Sequence, residues 1–197
     1  MATTPRQPIA VVPHFMRLHE WIALEEDYYQ AEGLEAHLRA DVMHAVSLHG
    51  SDPYKDRPQD RPFVAGEVQA ANLLDPEIGI AEQQGLRRIV GGQFKTLFWV
   101  SPTLSSDVLR RYFAALRRAD EALRAAPERY LHLWARNVPP ALQGERYDVQ
   151  QLGLGELLVF EPYPEDEYER TVAFARKWGL DRDIRETRYD NLIASFA

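Results

Sequence analysis

The sequence predicts an α/β fold, a mainly parallel sheet flanked by helices. Three observations carry that prediction: a strand, helix, strand order at the start, strongly amphipathic helices in the second half, and short apolar runs bounded by Pro or Gly between them. Of the 197 residues 45% are hydrophobic and 27% charged, a balance that can fill a core and argues against disorder.

Ile9, Ala10, Val11 and Val12 form a β-prone run that Pro13 stops. From Leu18 onward, Trp21, Ile22, Tyr28 and Tyr29 recur at helical spacing, and Gly33 is placed to end the helix. Residues 34–40 supply a second strand, so the chain opens with a βαβ unit, which favours parallel pairing. Residues 50–62 hold Pro53, Pro58 and Pro62 among polar neighbours and read as a linker or loop within a single domain spanning 1–197. Residues 63–74 fit a short helix or a strand equally. Residues 78–84 read as a short helix closed by Gly85, with strand candidates at 88–90 and 96–100.

The strongest helix follows. Ser105 or Ser106 is a natural N-cap, Asp107 suits the positive end of the dipole, and Val108, Leu109, Tyr112, Phe113, Leu116, Ala119 and Leu123 share one face. The pairs Arg110-Arg111 and Arg117-Arg118 are expected on its solvated side. Pro127 opens a second helix, which Pro139 and Pro140 stop. Leu157, Leu158, Val159 and Phe160 read as a late strand. Pro164 with Glu165, Asp166 and Glu167 then opens a helix bearing Tyr168, Val172, Ala175 and Trp178, closed by Gly179.

Thirty acids against 23 bases give a net charge of −7, and no basic run is long enough to displace counterions from a duplex, so nucleic acid is not an expected partner. The absence of cysteine excludes disulfides, thiolate nucleophiles and sulfur metal ligands. No apolar stretch near the start resembles a signal peptide or a membrane span. A cytoplasmic location is expected if Met1 is the natural start, and a periplasmic one if a leader was trimmed.

Three stretches carry a resemblance. Ala23, Glu25, Tyr28, Tyr29, Glu32, Gly33 and Leu34 match an A-x-E-x-G-Y-F-x-x-E-G-L pattern, with Asp27 where that pattern has Gly. Gly66, Glu67, Val68, Ala70 and Ala71, followed by Asp75, Pro76, Gly85 and Leu86, match a G-E-V-D-A-A segment with Gln69 in place of Asp. The long helix, the Pro-Glu start at Pro127 and residues 174–180 resemble closing helices in the same order. These patterns resemble the type II periplasmic-binding-like family, which includes the nitrate, sulfonate and taurine substrate-binding proteins of ABC transporters and the thiamine-pyrimidine-synthase-like proteins. A full member has two lobes, so the shortened middle of this chain implies a reduced or missing second lobe. That in turn leads us to expect a homo-dimer or a hetero-complex in which a partner completes the cleft.

In an open parallel sheet, ligands bind outside the carboxyl ends of the strands, which places residues 13–17 at the expected crevice. His14, Phe15 and Arg17 are the candidate ligand contacts there, with Arg17 alternatively paired to Glu20 and His14 alternatively a plain surface residue. Asn72, Asp75, Lys95 and Trp99 are further candidates, from the second matching stretch and from the aromatic run after Gly91-Gly92. His14, His19 and His44 are the candidate acid or base groups in an enzyme reading, since histidine titrates near neutral pH. The five-residue spacings of His14 with His19 and of His44 with His49 do not preform a chelate, so no metal site is assigned. No cofactor is identified. The leading expectation is binding of a small polar or anionic molecule, solute-binding-like. The alternatives are a cytoplasmic lyase or decarboxylase of the same fold using histidine, and a subunit completing a partner's cleft.

Overall fold

β-Prone residues at the start form strand β1, Gln7–Val11, and Leu34–Leu38 forms strand β2 beside it. The two pair in parallel with Gln7 opposite Leu34, Ile9 opposite Ala36 and Val11 opposite Leu38. Between them lie helix α1, His19–Glu25, and helix α2, Tyr28–Ala31. The computed structural model describes residues 5–42, 73–89, 91, 101, 103–138, 146–182 and 188–192. The expected βαβ start is therefore present, and the fold is mixed α/β around a two-stranded parallel sheet among the described residues.

The single expected helix is broken in two. Three consecutive acids, Glu25, Glu26 and Asp27, sit where the negative end of the helix dipole disfavours them. Asp27 turns the chain with φ 56°, a left-handed conformation that Asp tolerates better than most residues. Gly33, at φ 69°, ends α2 as expected.

The chain divides into two units, Met1–Gly92 with Arg111–Leu158, and Gln93–Arg110 with Val159–Ala197. In the first, helix α3, Glu77–Gln83, follows the β-α-β start. Helix α4, Ser106–Ala125, runs from the second unit into the first. Its cap is Ser105, whose Oγ accepts the Val108 N–H at 3.3 Å. Tyr112, Ala115, Leu116, Ala119 and Leu123 are buried along the part of α4 in the first unit. Arg117 and Arg118 are exposed, as the helical period requires. Arg111 departs from that expectation: its Nη1 donates to the carbonyls of Glu32 and Gly33, at 3.3 and 3.4 Å, and caps the turn into β2.

After Pro127 the chain forms two 3-10 turns, Pro127–Arg129 and Leu131–Arg136, rather than an α-helix. Tyr130 with Leu133, and Leu131 with Trp134, are apolar at three-residue spacing, and all four are buried, which suits the 3-10 period. A strap of residues 146–158 then crosses back. The Gln83 side chain grips Asp148 at both backbone atoms, donating to its carbonyl at 3.0 Å and accepting its N–H at 2.6 Å. Leu152 is buried against Gly79, where a Cβ would lie 2.9 Å from the Leu152 Cδ2.

In the second unit, helix α5, Glu165–Trp178, starts after Pro164 and ends at Gly179, φ 64°, as its sequence predicts. Helix α6, Tyr189–Leu192, lies against it through a Tyr168–Tyr189 edge contact, with ring centroids 5.5 Å apart, and the Tyr189 hydroxyl donates to the Tyr163 carbonyl. The expected strand at 157–160 is irregular chain. Leu157 and Val159 are exposed and gain nothing from that run's apolar character. Arg88 and Ile89 also carry no strand, and Ile89 is exposed. The expected linker at 50–62, the strand at 96–100 and all but the end of 63–74 lie outside the described residues. No described helix is long and apolar enough to cross a membrane.

Candidate functional site

Pro13 has no N–H to continue the ladder, so the chain leaves β1 and turns before α1. The resulting loop is mostly covered: Phe15, Met16, Arg17 and Leu18 are buried, and His14 is half-buried. The Arg17 N–H donates to the His14 carbonyl at 3.3 Å and tightens the turn. Leu74 packs on Phe15 and Met16 and brings the turn at Asp75 toward the loop. The His14 and Phe15 rings stack with centroids 5.2 Å apart.

Beneath this surface lies a buried ion pair. Arg17 Nε donates to both Glu20 carboxylate oxygens, at 3.0 and 3.2 Å, and Nη2 donates to Oε1. Glu20 is fully buried, and burial alone would raise its pKa; the Arg17 charge and hydrogen bonds hold it below the usual carboxylate range instead. Arg17 is correspondingly raised, the Glu20 carboxylate outweighing its own desolvation. The Tyr29 and Tyr112 rings stack at 5.9 Å, and burial pushes both hydroxyls up.

The strap supplies the third charged group. The Glu156 N–H donates to the Met16 carbonyl at 2.7 Å, and the Trp134 Nε1 donates to the Gly153 carbonyl at 2.9 Å. These bonds bring Glu156 Oε2 to 3.2 Å from His14 Nδ1 and 3.8 Å from Arg17 Nη1. Burial first, and then the Arg17 charge, lower the His14 pKa against the opposing pull of Glu156 and Glu20. The Met16 N–H donates to His14 Nδ1 at 3.4 Å, so that nitrogen accepts a backbone hydrogen bond while facing the Glu156 carboxylate. Gly155 allows the approach: at φ 71° its Cβ position lies 2.5 Å from the Met16 oxygen and 2.6 Å from the Trp134 ring.

Asn137 locks the same loop from another side. Its Nδ2 donates to the Arg17 carbonyl at 2.7 Å and the His14 carbonyl at 3.4 Å, while its Oδ1 accepts the Trp21 Nε1–H at 2.7 Å. His19 faces inward. It is fully buried, with Nε2 3.0 Å from Asp120 Oδ1, and Arg124 Nε donates to the other Asp120 oxygen at 2.7 Å. Burial lowers the His19 pKa, partly offset by the Asp120 hydrogen bond.

His14, Phe15 and Arg17 therefore converge at the carboxyl end of β1, with Asp75 following Leu74 nearby. Burial raises the Asp75 pKa, with Arg88 opposing. His44, Asn72, Lys95 and Trp99 lie outside the described residues. No group of three His, Asp or Glu side chains capable of holding a metal occurs among the described residues. Glu156, Asn137, Trp134 and Asp120 belong to the site and its support but carry no local motif. The one sequence sign near them is Gly153-Leu154-Gly155 immediately before an acid. Compared with known proteins, the chain matches no family model, no curated protein and no solved structure.

Proposed function

We propose that this chain binds a small polar or anionic molecule at the carboxyl edge of β1, in the manner of the type II periplasmic-binding-like proteins that its sequence resembles. The observation that carries the reading is the convergence of His14, Arg17 and Glu156 at that edge. Two are part-exposed and the third is buried behind them, against the apolar wall of Phe15 and Met16. Few polar groups converging on an apolar wall is the usual make-up of a small-molecule site. The resemblance gains support at one residue: Asp27 adopts left-handed backbone at the pattern position usually held by Gly. A shortened middle leaves the opposite wall of the cleft to a partner subunit or a second copy.

Crystals soaked with small carboxylates, sulfonates, nitrate and neutral heterocycles test the reading. A ligand is expected within hydrogen-bond reach of His14, and His14→Ala should weaken its binding by about 1 kcal/mol, roughly fivefold. A ligand held elsewhere, with His14→Ala unchanged, would refute it.

A second reading, histidine acid-base catalysis, draws on the His14–Glu156 pair. A part-exposed imidazole whose pKa is lowered by burial, with a carboxylate 3.2 Å away, suits a general base. Of His14 and His19, solvent reaches only His14.

A further inference from the structure

Helix α5 buries none of its residues, and its largest apolar side chains are open: Phe174 is 58% exposed and Trp178 62%. Residues eleven apart on a helix differ by only about 20° around its axis. Glu167 and Trp178 therefore mark the two ends of one face, with Thr171 and Phe174 between them. The N-terminal half of that face is a groove, where Tyr163, Glu167, Arg170, Thr171 and Phe174 line an open volume of about 310 Å³. Its walls are held. The Tyr163 carbonyl accepts the Tyr189 hydroxyl, the Tyr163 Oη lies 3.3 Å from Thr171 Oγ1, and Arg170 Nη1 donates to Asp166 Oδ2 at 2.8 Å. The C-terminal end is a knob: the Trp178 ring, 6.3 Å from the Phe174 centroid, with the Lys177 ammonium 5.6 Å from its own centroid.

We propose that this face of α5 docks a second copy of the chain, antiparallel about a two-fold axis, so that each Trp178 enters the other copy's groove. A two-fold contact must be self-complementary, and a parallel pairing would set groove on groove and knob on knob. The charges agree with the antiparallel sense. Residues 165–170 carry four acids and one base, and residues 171–180 carry two bases and no acid, so each acidic half meets a basic one. Asp166 and Lys177 border the same edge of the face, again eleven residues apart, and edges of the same side meet across an antiparallel pair. The register that sets Trp178 over the groove thus sets Lys177 beside Asp166 of the second copy. Two aromatic anchors per copy make a contact smaller than a standard interface, so the dimer is weak. The surface consists of second-unit residues alone and is independent of the loop at His14.

Sedimentation velocity of the whole protein from about 1 to 300 μM, at fixed ionic strength, reads the association. A monomer–dimer equilibrium is expected in that range, weakened about tenfold or more by Trp178→Ala with the far-UV circular dichroism unchanged. Lys177→Glu and Asp166→Lys should each weaken it, and the two together should restore it, because each charge again meets its opposite. A protein that stays monomeric throughout overturns the proposal and leaves the face to another occupant. A dimer that Trp178→Ala leaves unchanged lies on a different surface and overturns it equally. If Trp178→Ala loses its fold, the charge exchange decides: rescue by the double variant supports the pairing, and failure to rescue overturns it.

Discussion

Replacing Gly155 by alanine places a methyl group where the structure has no room. The added Cβ would lie 2.5 Å from the Met16 carbonyl oxygen and 2.6 Å from two carbons of the buried Trp134 ring. Neither is the tip of a flexible side chain, so the strap itself must move. A left-handed alanine costs about 1–2 kcal/mol and overpacking a further ~1–3, giving roughly 2–5 kcal/mol in total. Gly153 provides the control. Its φ of 77° is close to the 71° of Gly155, but nothing lies within 4 Å of its Cβ position. Gly153→Ala should therefore lose only the conformational part, about 1–2 kcal/mol. Urea unfolding of the two variants, compared at equal slope, separates contact from strain. Equal losses would refute the packing of the strap on the loop, and with it the placement of Glu156.

Two further outcomes follow from the polar network. Asn137→Ala strands the Trp21 indole N–H and the Arg17 carbonyl, both of which Asn137 serves at 2.7 Å, and should cost about 2–4 kcal/mol in thermal unfolding; a loss under 1 kcal/mol would mean water replaces it. Acid should destabilise the protein in two stages. The pKa values of His14 and His19 are lowered in the fold, so the unfolded chain binds their protons more readily. Their contribution is complete above about pH 6.5 and is lost as pH falls through the lowered values. Glu20 and Asp120, also lowered, give a second loss that begins below the ordinary carboxylate range of about pH 4–4.5. A urea midpoint that stays level from pH 7 to 5 would contradict the first stage.

The elements legible in the sequence are those whose signals are local. The βαβ start needs only two β-prone runs, a helical stripe and the stop at Gly33, all within the first 38 residues. Helix α4 repeats its apolar period over 20 residues and carries its own cap, and α5 is bracketed by Pro164 and Gly179. Residues 157–160 show the limit. Four apolar residues in a row fit a buried strand, but a strand needs a neighbour, and no pattern within the run reports whether one exists. The turns after Pro127 show another. Apolar residues at 130, 131, 133 and 134 serve a 3-10 period as well as an α-helical one, and the shorter turn won.

The site divides along the same line. Arg17 and Glu20 are three residues apart, and their pairing is readable as one face of a turn entering a helix. Asn137 meets the Arg17 carbonyl across 120 residues, and His19 meets Asp120 across 101. Such contacts leave no periodic trace, because each end obeys only its own local rule: Asn137 ends a 3-10 turn, and Asp120 sits mid-helix. Residue type alone also ranked His14 and His19 together as proton carriers. Position on the fold separates them. His19 opens α1, which is buried on every side from His19 to Ala23, so its imidazole is enclosed and joins α1 to α4 through Asp120. His14 precedes the helix, at a turn the sheet edge leaves open, and its ring meets both Glu156 and solvent. Chemistry with an external molecule requires the second environment. A ligand of the proposed site would meet His14 first, with the Glu156 carboxylate 3.2 Å from its Nδ1.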